Sequence, residues 1–106
     1  MAIIETTTDT IPGRKIKQIL GVVRGNTIRS RGIGGHFVAG IESAFGGQIT
    51  AYIKAMDEAR DEAYANMMEE AKKLNADAVI NIRFATSQVM PQAAEILTYG
   101  TAVKLE

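Results

Sequence analysis

Gly46 to Phe84 reads GGQITAYIKAMDEARDEAYANMMEEAKKLNADAVINIRF: a double glycine, a long amphipathic segment, an asparagine stop and a β-branched run. Within it, Ile49, Tyr52, Ile53, Met56, Ala59, Ala63, Met67, Ala71 and Leu74 recur at the three-and-four spacing of one helical face. Lys54, Asp57, Glu58, Asp61, Glu62, Glu69, Glu70, Lys72 and Lys73 fill the opposite face, which must meet water or a polar partner. Lys72 and Lys73 stand where cations favour the negative end of a helix dipole. Asn75 follows where a left-handed residue commonly ends a helix. The pattern predicts a helix over 48–74, about 40 Å long at roughly 1.5 Å per residue. A compact chain of this length should be only about 33 Å across, from a radius of gyration near 13 Å. Such a helix protrudes from a monomer unless neighbouring subunits cover its ends.

After the stop, Ala78, Ile80, Ile82 and Phe84 alternate with Val79, Asn81, Arg83 and Ala85, the period of a strand. A second strand is expected over 95–105, with Leu97, Tyr99, Thr101, Val103 and Leu105 on one face. Ser87, Gln88 and Pro91 lie between them, so the pair reads as an antiparallel hairpin with a long loop. Upstream, residues 16–28 are rich in β-branched side chains, with Gly21 and Gly25 as bend or bulge points. Gly25-Asn26 could instead be a two-residue hairpin turn that splits the run. A short strand is expected at 3–7, a turn at Pro12-Gly13, and a short helix between Phe37 and Phe45. The whole is an α+β chain, a single domain over 1–106, with a largely antiparallel sheet packed on one long helix.

Composition narrows the function. No run is long enough to span a bilayer, and no charged-then-apolar leader is present, so no membrane role or secretion is expected. The 106 residues include no cysteine and one histidine. That excludes disulfides and thiolate metal sites, and fits a reducing cytoplasm. The formal charge of zero hides an asymmetry: residues 10–41 carry six basic side chains and no acidic one, while the long helix is acidic. A basic strand of one subunit could therefore face the acidic helix of another, which makes the chain a self-assembler. With no basic patch interleaved with aromatics, no nucleic-acid partner is expected.

Four segments, TTTDTIPG (6–13), IKQILGVVRG (16–25), Gly46-Gly47 and LNADAVINIRF (74–84), taken in this order, resemble the YbjQ-like family over nearly the whole chain. That family carries the label of a heavy-metal-binding domain. The resemblance implies a β-α-β-β core similar to the dodecin-type fold and ring-like homo-oligomers, pentamers or pairs of them. Two departures stand out. Gln48 follows the glycine pair where relatives commonly have a basic residue. Val89-Met90-Pro91-Gln92-Ala93-Ala94 replaces a loop that is often glycine-rich, so a ligand site shaped by that loop would be altered here.

The residues give the metal label little chemistry. Soft metals prefer thiolate and intermediate ones prefer clustered imidazole, so a histidine site needs several copies of His36 brought together in a ring. Glu58 and Glu62, one helical turn apart with Asp61 nearby, could form a carboxylate site, although a solvated acidic face explains them as well. The five methionines read as core filler and the initiator. Phosphate motifs fail: the third glycine of a dinucleotide fingerprint would fall at Phe37, and Ile41-Glu42 follows Gly40 where a P-loop needs Lys and Ser or Thr. What remains is a glycine-rich turn at 32–35 preceded by Arg29 and Arg31, able to hold a phosphate or carboxylate, with His36 beside it. Its plainer reading is a flexible connection with solvated arginines.

Nucleophilic catalysis has little footing, since His36 is the only imidazole base and the serines lie in no elbow-like context. The reading leans against an enzyme. It favours a non-catalytic homo-oligomeric module that binds a metal ion or small anionic ligand at a subunit interface, through Arg29, Arg31 and His36. The alternatives are a structural adaptor for a protein partner and a weak hydrolase or isomerase pairing His36 with a helix carboxylate.

Overall fold

The computed structural model describes residues 2–30, 49–90 and 93–106. In chain order its elements are β1 (Ile4–Glu5), β2 (Ile16–Ser30), α1 (Ile49–Lys73), β3 (Ala78–Met90) and β4 (Ala93–Leu105). They form a four-stranded mixed sheet in the order β1-β3-β4-β2, parallel only between β1 and β3. The expected α+β class and β-α-β-β core are both present, with α1 lying across one face of the sheet. The short helix expected between Phe37 and Phe45 lies outside the described residues.

α1 ends as the sequence predicts. Asn75 adopts φ 58°, its N–H bonds the carbonyl of Lys72 at 3.0 Å, and that of Ala76 bonds Ala71 at 3.1 Å. This is a Schellman stop, which satisfies carbonyls that the helix itself leaves open. The turn before β2 is equally local. Pro12 supplies a fixed φ and Gly13 adopts φ 80°, closing Ile11 onto the N–H of Arg14 at 3.1 Å.

Residues 16–30 form one strand, not a hairpin. Register shifts between Ile16 and Gln18 and between Ile19 and Gly21 bend its first half, and the second half pairs with β4 without interruption. Gly25 is no turn. It is the point of closest approach of α1, where a Cβ would stand 2.1 Å from the carbonyl oxygen of Ala63 and 2.5 Å from the nitrogen of Met67. Small residues on both elements allow this contact, and Ala59, Ala63, Met67 and Ala71 are all fully buried. Thr27 secures it by donating its hydroxyl to the carbonyl of Ala59 at 3.0 Å.

The alternation expected in β3 breaks at one residue. Asn81 has φ 54° and the pairing with β4 shifts between Ile80 and Arg83, a bulge that changes the phase of the strand. Val79 and Ile82 consequently pack under the helix with Val23, Met67, Ala71, Ala76 and Ala102. Ala78 and Ile80 instead pack on the opposite side with Val103, Leu105 and Ile11. The four residues read as one face therefore serve two. The long loop is also corrected: Ser87 and Gln88 belong to β3 and Ala93-Ala94 to β4, so only residues 91–92 separate the strands.

Strands of thirteen to fifteen residues make an elongated protomer, 55 × 23 × 20 Å, with a radius of gyration of 17.1 Å. A compact chain of this length would have about 13 Å.

Candidate functional site

The sheet has one covered face and one open one. Under α1 lie Val23, Gly25 and Thr27 of β2 and Ile96, Thr98 and Ala102 of β4, all buried. The intervening residues point away from the helix. Near the end that carries the C-terminus, Ile11 closes over them. Farther along, nothing among the described residues does. Val22 is 75% exposed, Ile19 69% and Ile28 56%, and Tyr99 stands beside them on β4, also exposed. Arg24, whose backbone pairs with that of Tyr99, is exposed on the same strand. Asn26 spans to β4 by donating to Glu95 at 2.9 Å.

Three methionines of α1 fill the protomer's own core, in line with their reading as core filler. Met67 is fully buried within the protomer, Met68 packs against the same core, and Met56 packs on Ala59, Ala63 and Ile96. Among the described side chains of the expected apolar stripe, Ile53 and Leu74 are exposed. The carboxylates Asp57, Glu58, Asp61, Glu62, Glu69 and Glu70 are all on the solvent side.

Among the residues singled out from sequence, Arg29 lies near the end of β2, its backbone opposite Ala94. Arg31 and His36 lie outside the described residues, as does the glycine-rich turn. The structure therefore brings none of the three together within the described chain. Among the described residues no group of three His, Cys, Asp or Glu could hold a metal ion. With no thiolate and one imidazole per chain, the donor set of a protomer does not fit a soft-metal centre. No described helix is long and apolar enough to cross a membrane.

A shallow groove of about 240 Å³ runs beside the outer edge of β2, lined by Val22, Val23, Arg24, Glu70, Lys73 and Leu74. Lys73 and Glu70 pair across 3.7 Å at its rim. The groove thus combines a salt bridge with aliphatic walls.

Two polar clusters had no signal in the sequence, because their members are distant along the chain. Tyr64 of α1 donates its hydroxyl to Glu5 of β1 and stacks on Phe84 at 6.2 Å between ring centroids. Burial first, and then the Glu5 carboxylate, hold the phenol protonated well above its ordinary range. Asp77 accepts the N–H of Leu105 at 2.9 Å and faces Lys104 at 3.7 Å. That backbone bond, reinforced by Lys104, keeps its carboxyl below the usual range. Both clusters tie β1, α1 and the end of β4 together.

The family model described as "Putative heavy-metal-binding" matches residues 3–106. A UPF0145 protein of Archaeoglobus fulgidus is 53% identical over 103 residues, spanning 97% of this chain and 95% of its own. One from Methanosarcina acetivorans is 51% identical over 102 residues, 96% of each chain. One from Thermus thermophilus is 47% identical over 106 residues, 100% of this chain and 93% of its own. A crystal structure of a protein of unknown function from Pediococcus pentosaceus, of the DUF74 family, superposes with a TM-score of 0.66 over the full length of both chains. At 19% identity that likeness concerns the fold alone.

Proposed function

The chain belongs to the YbjQ-like family, and from that premise we propose that it is a non-catalytic homo-oligomeric binding module, a ring of five or ten subunits. The observation that carries this reading is the open sheet face. Ile19, Val22, Ile28 and Tyr99 form an apolar strip on an elongated protomer, and an uncovered strip of that kind marks an interaction surface. The basic character of β2 and the acidic outer face of α1 supply complementary charge between copies. The ligand proposed is a small anion such as a phosphate or carboxylate, held where Arg29 and Arg31 of one subunit approach a neighbour. A metal ion requires copies of His36 to meet across the ring, because one protomer lacks the donors. Localisation in the cytoplasm accords with the cysteine-free composition.

Native mass spectrometry on untagged protein, prepared without chelators or added metal, tests both halves of the reading. The expected result is a closed oligomer carrying a discrete extra mass in fixed ratio to subunits, with the extra mass lost in Arg31→Ala. A bare oligomer overturns the ligand, and a bare monomer overturns the assembly.

A further inference from the structure

β2 is an outer strand of the sheet, and its two halves differ as an edge. The first half carries both register shifts and Lys17, devices that spoil an edge for pairing. From Val22 to Ser30 the register with β4 is unbroken, and among the described residues no strand lies on the outer side. The N–H and C=O groups of every second residue there face outward, along about 23 Å for residues 22–28 at roughly 3.3 Å per residue. Beside this stretch runs the groove of Val22, Val23, Arg24, Glu70, Lys73 and Leu74.

Charge and backbone chemistry narrow the occupant. Residues 14–29 hold Arg14, Lys15, Lys17, Arg24 and Arg29 and no acid. Arg24 alternates with the buried Val23 and Gly25, so it belongs to the face away from α1, and among the described residues it forms no ion pair. Lys73 stands on the helix side, and its pairing with Glu70 is an exposed one that water screens. The chain's own segments do not match this edge. Its helix has its backbone groups already paired. Laying β2 on β2 brings Arg24 and Arg29 near their own copies. The part of β3 beyond Ile82, which no described strand covers, has Arg83 as its only charge, level with Arg24 at Tyr99. Like charges at such positions disfavour a strand pair. β1 is two residues long, is level with the irregular first half of β2, and has its Glu5 bound to Tyr64.

We infer that the outer edge of β2 takes an extended segment of a different protein, in which acidic side chains alternate with aliphatic ones. The segment adds as a further strand over residues 22–28, and its backbone supplies the partners that β2 lacks on that side. Successive side chains of a strand point to opposite faces. The carboxylates therefore lie on the side of Arg24, where the hydrogen bonds are charge-assisted. The aliphatic side chains turn into the groove, against Val23 and Leu74. The inference goes beyond the small-anion reading above and depends on neither that ligand nor the assembly.

The probe is a fluorescein-labelled heptapeptide in which glutamate alternates with valine, and the readout is anisotropy against the full chain. Saturable binding is expected. A strand pairs through every second residue, so N-methylation of one alternate set of peptide amides should weaken binding about tenfold or more, and of the other set hardly at all. Equal effects from both sets would mean that the peptide adheres by charge without strand pairing, and would overturn the inference. Arg24→Glu, at an exposed position, should weaken the glutamate peptide and strengthen its lysine counterpart, with circular dichroism confirming that the fold is retained. An unchanged preference, or no binding at millimolar peptide, overturns it as well. Binding that splits an oligomer seen by native mass spectrometry shows that a second copy holds the edge, and the inference falls. A monomer that binds the peptide with the expected N-methyl pattern removes the assembly proposed above and leaves the edge site standing.

Discussion

The two faces of the sheet use apolar residues in opposite ways. Beneath α1 the sheet offers Gly25, Thr27, Thr98, Gly100 and Ala102 together with Val23, Val79, Ile82 and Ile96, and every one is buried. On the other face Ile19, Val22, Ile28 and Tyr99 are exposed. A protomer folding for itself alone would place its bulk where it can be buried, because each buried apolar side chain contributes roughly 1.5–3 kcal/mol. Here close approach of the helix backbone is favoured on one side, while Ile19, Val22 and Ile28 stay exposed on the other. Exposure thus separates a face covered by α1 from one that, among the described residues, is only partly covered.

The most disruptive way to break that contrast is at Gly25. A methyl group there would lie 2.1 Å from a backbone oxygen of α1, and no rotamer change can relieve a clash with backbone. Gly25→Ala should cost about 3 kcal/mol or more, at or beyond the upper range for overpacking. Gly100 makes a milder comparison, since a Cβ there meets Val79 Cγ1 at 2.8 Å and the carbonyl oxygen of Ile80 at 3.0 Å. Gly100→Ala should therefore destabilise less than Gly25→Ala in urea denaturation. Equal effects would mean that α1 does not rest on β2 as described.

Adjacent valines sharpen the same contrast. Val23 is 2% exposed and Val22 is 75% exposed, one on each face. Val23→Ala should cost about 2 kcal/mol, from two lost methyl groups and the cavity they leave. Val22→Ala should change protomer stability by no more than about 0.5 kcal/mol. Val22→Lys should leave the far-ultraviolet circular dichroism intact yet raise the concentration at which the assembly dissociates in sedimentation. A Val22→Lys protein that keeps its assembled mass at every concentration would show that the open face is not the interface.

How much of this is legible from the residues alone depends on whether the cause is local. The α1 stop at Asn75 and the Pro12-Gly13 turn are readable because each is set by a residue's own backbone preference. The period-two pattern of β4 is readable too, since its alternation is unbroken over the region concerned. β3 departs from its pattern at a single point: Asn81 takes a left-handed conformation, and nothing in its neighbours announces a bulge. Ser87, Gln88 and Pro91 are turn-type residues and suggest a long loop, yet pairing with β4 carries the first two as strand. Gly25 is ambiguous in sequence between bend, bulge and turn. Its real role, admitting a helix that begins more than twenty residues later, is a tertiary contact with no local signature. The ligand candidates Arg31 and His36 lie outside the described residues, so for them composition and family membership still carry the case.

The smallest expected effect concerns pH, and it separates the finished part of the molecule from the open face. Asp77 and Tyr64 both fasten the finished part, one at the chain end and one between α1 and β1. The carboxyl of Asp77 is lowered in the folded state, chiefly by the Leu105 N–H and then by Lys104. Its contribution is thus complete above the unfolded value of about 3.9 and is lost as pH falls below it. The phenol of Tyr64 is raised, by burial and then by Glu5, so its contribution is complete below about pH 10 and is lost as pH rises beyond. Thermal melting of wild type, Asp77→Asn and Tyr64→Phe across both limbs checks the assignment. The Asp77→Asn curve should lie below wild type at neutral pH and converge with it in acid. Tyr64→Phe should do the same in alkali. Curves that stay parallel to wild type over both limbs would show that these groups do not titrate with folding.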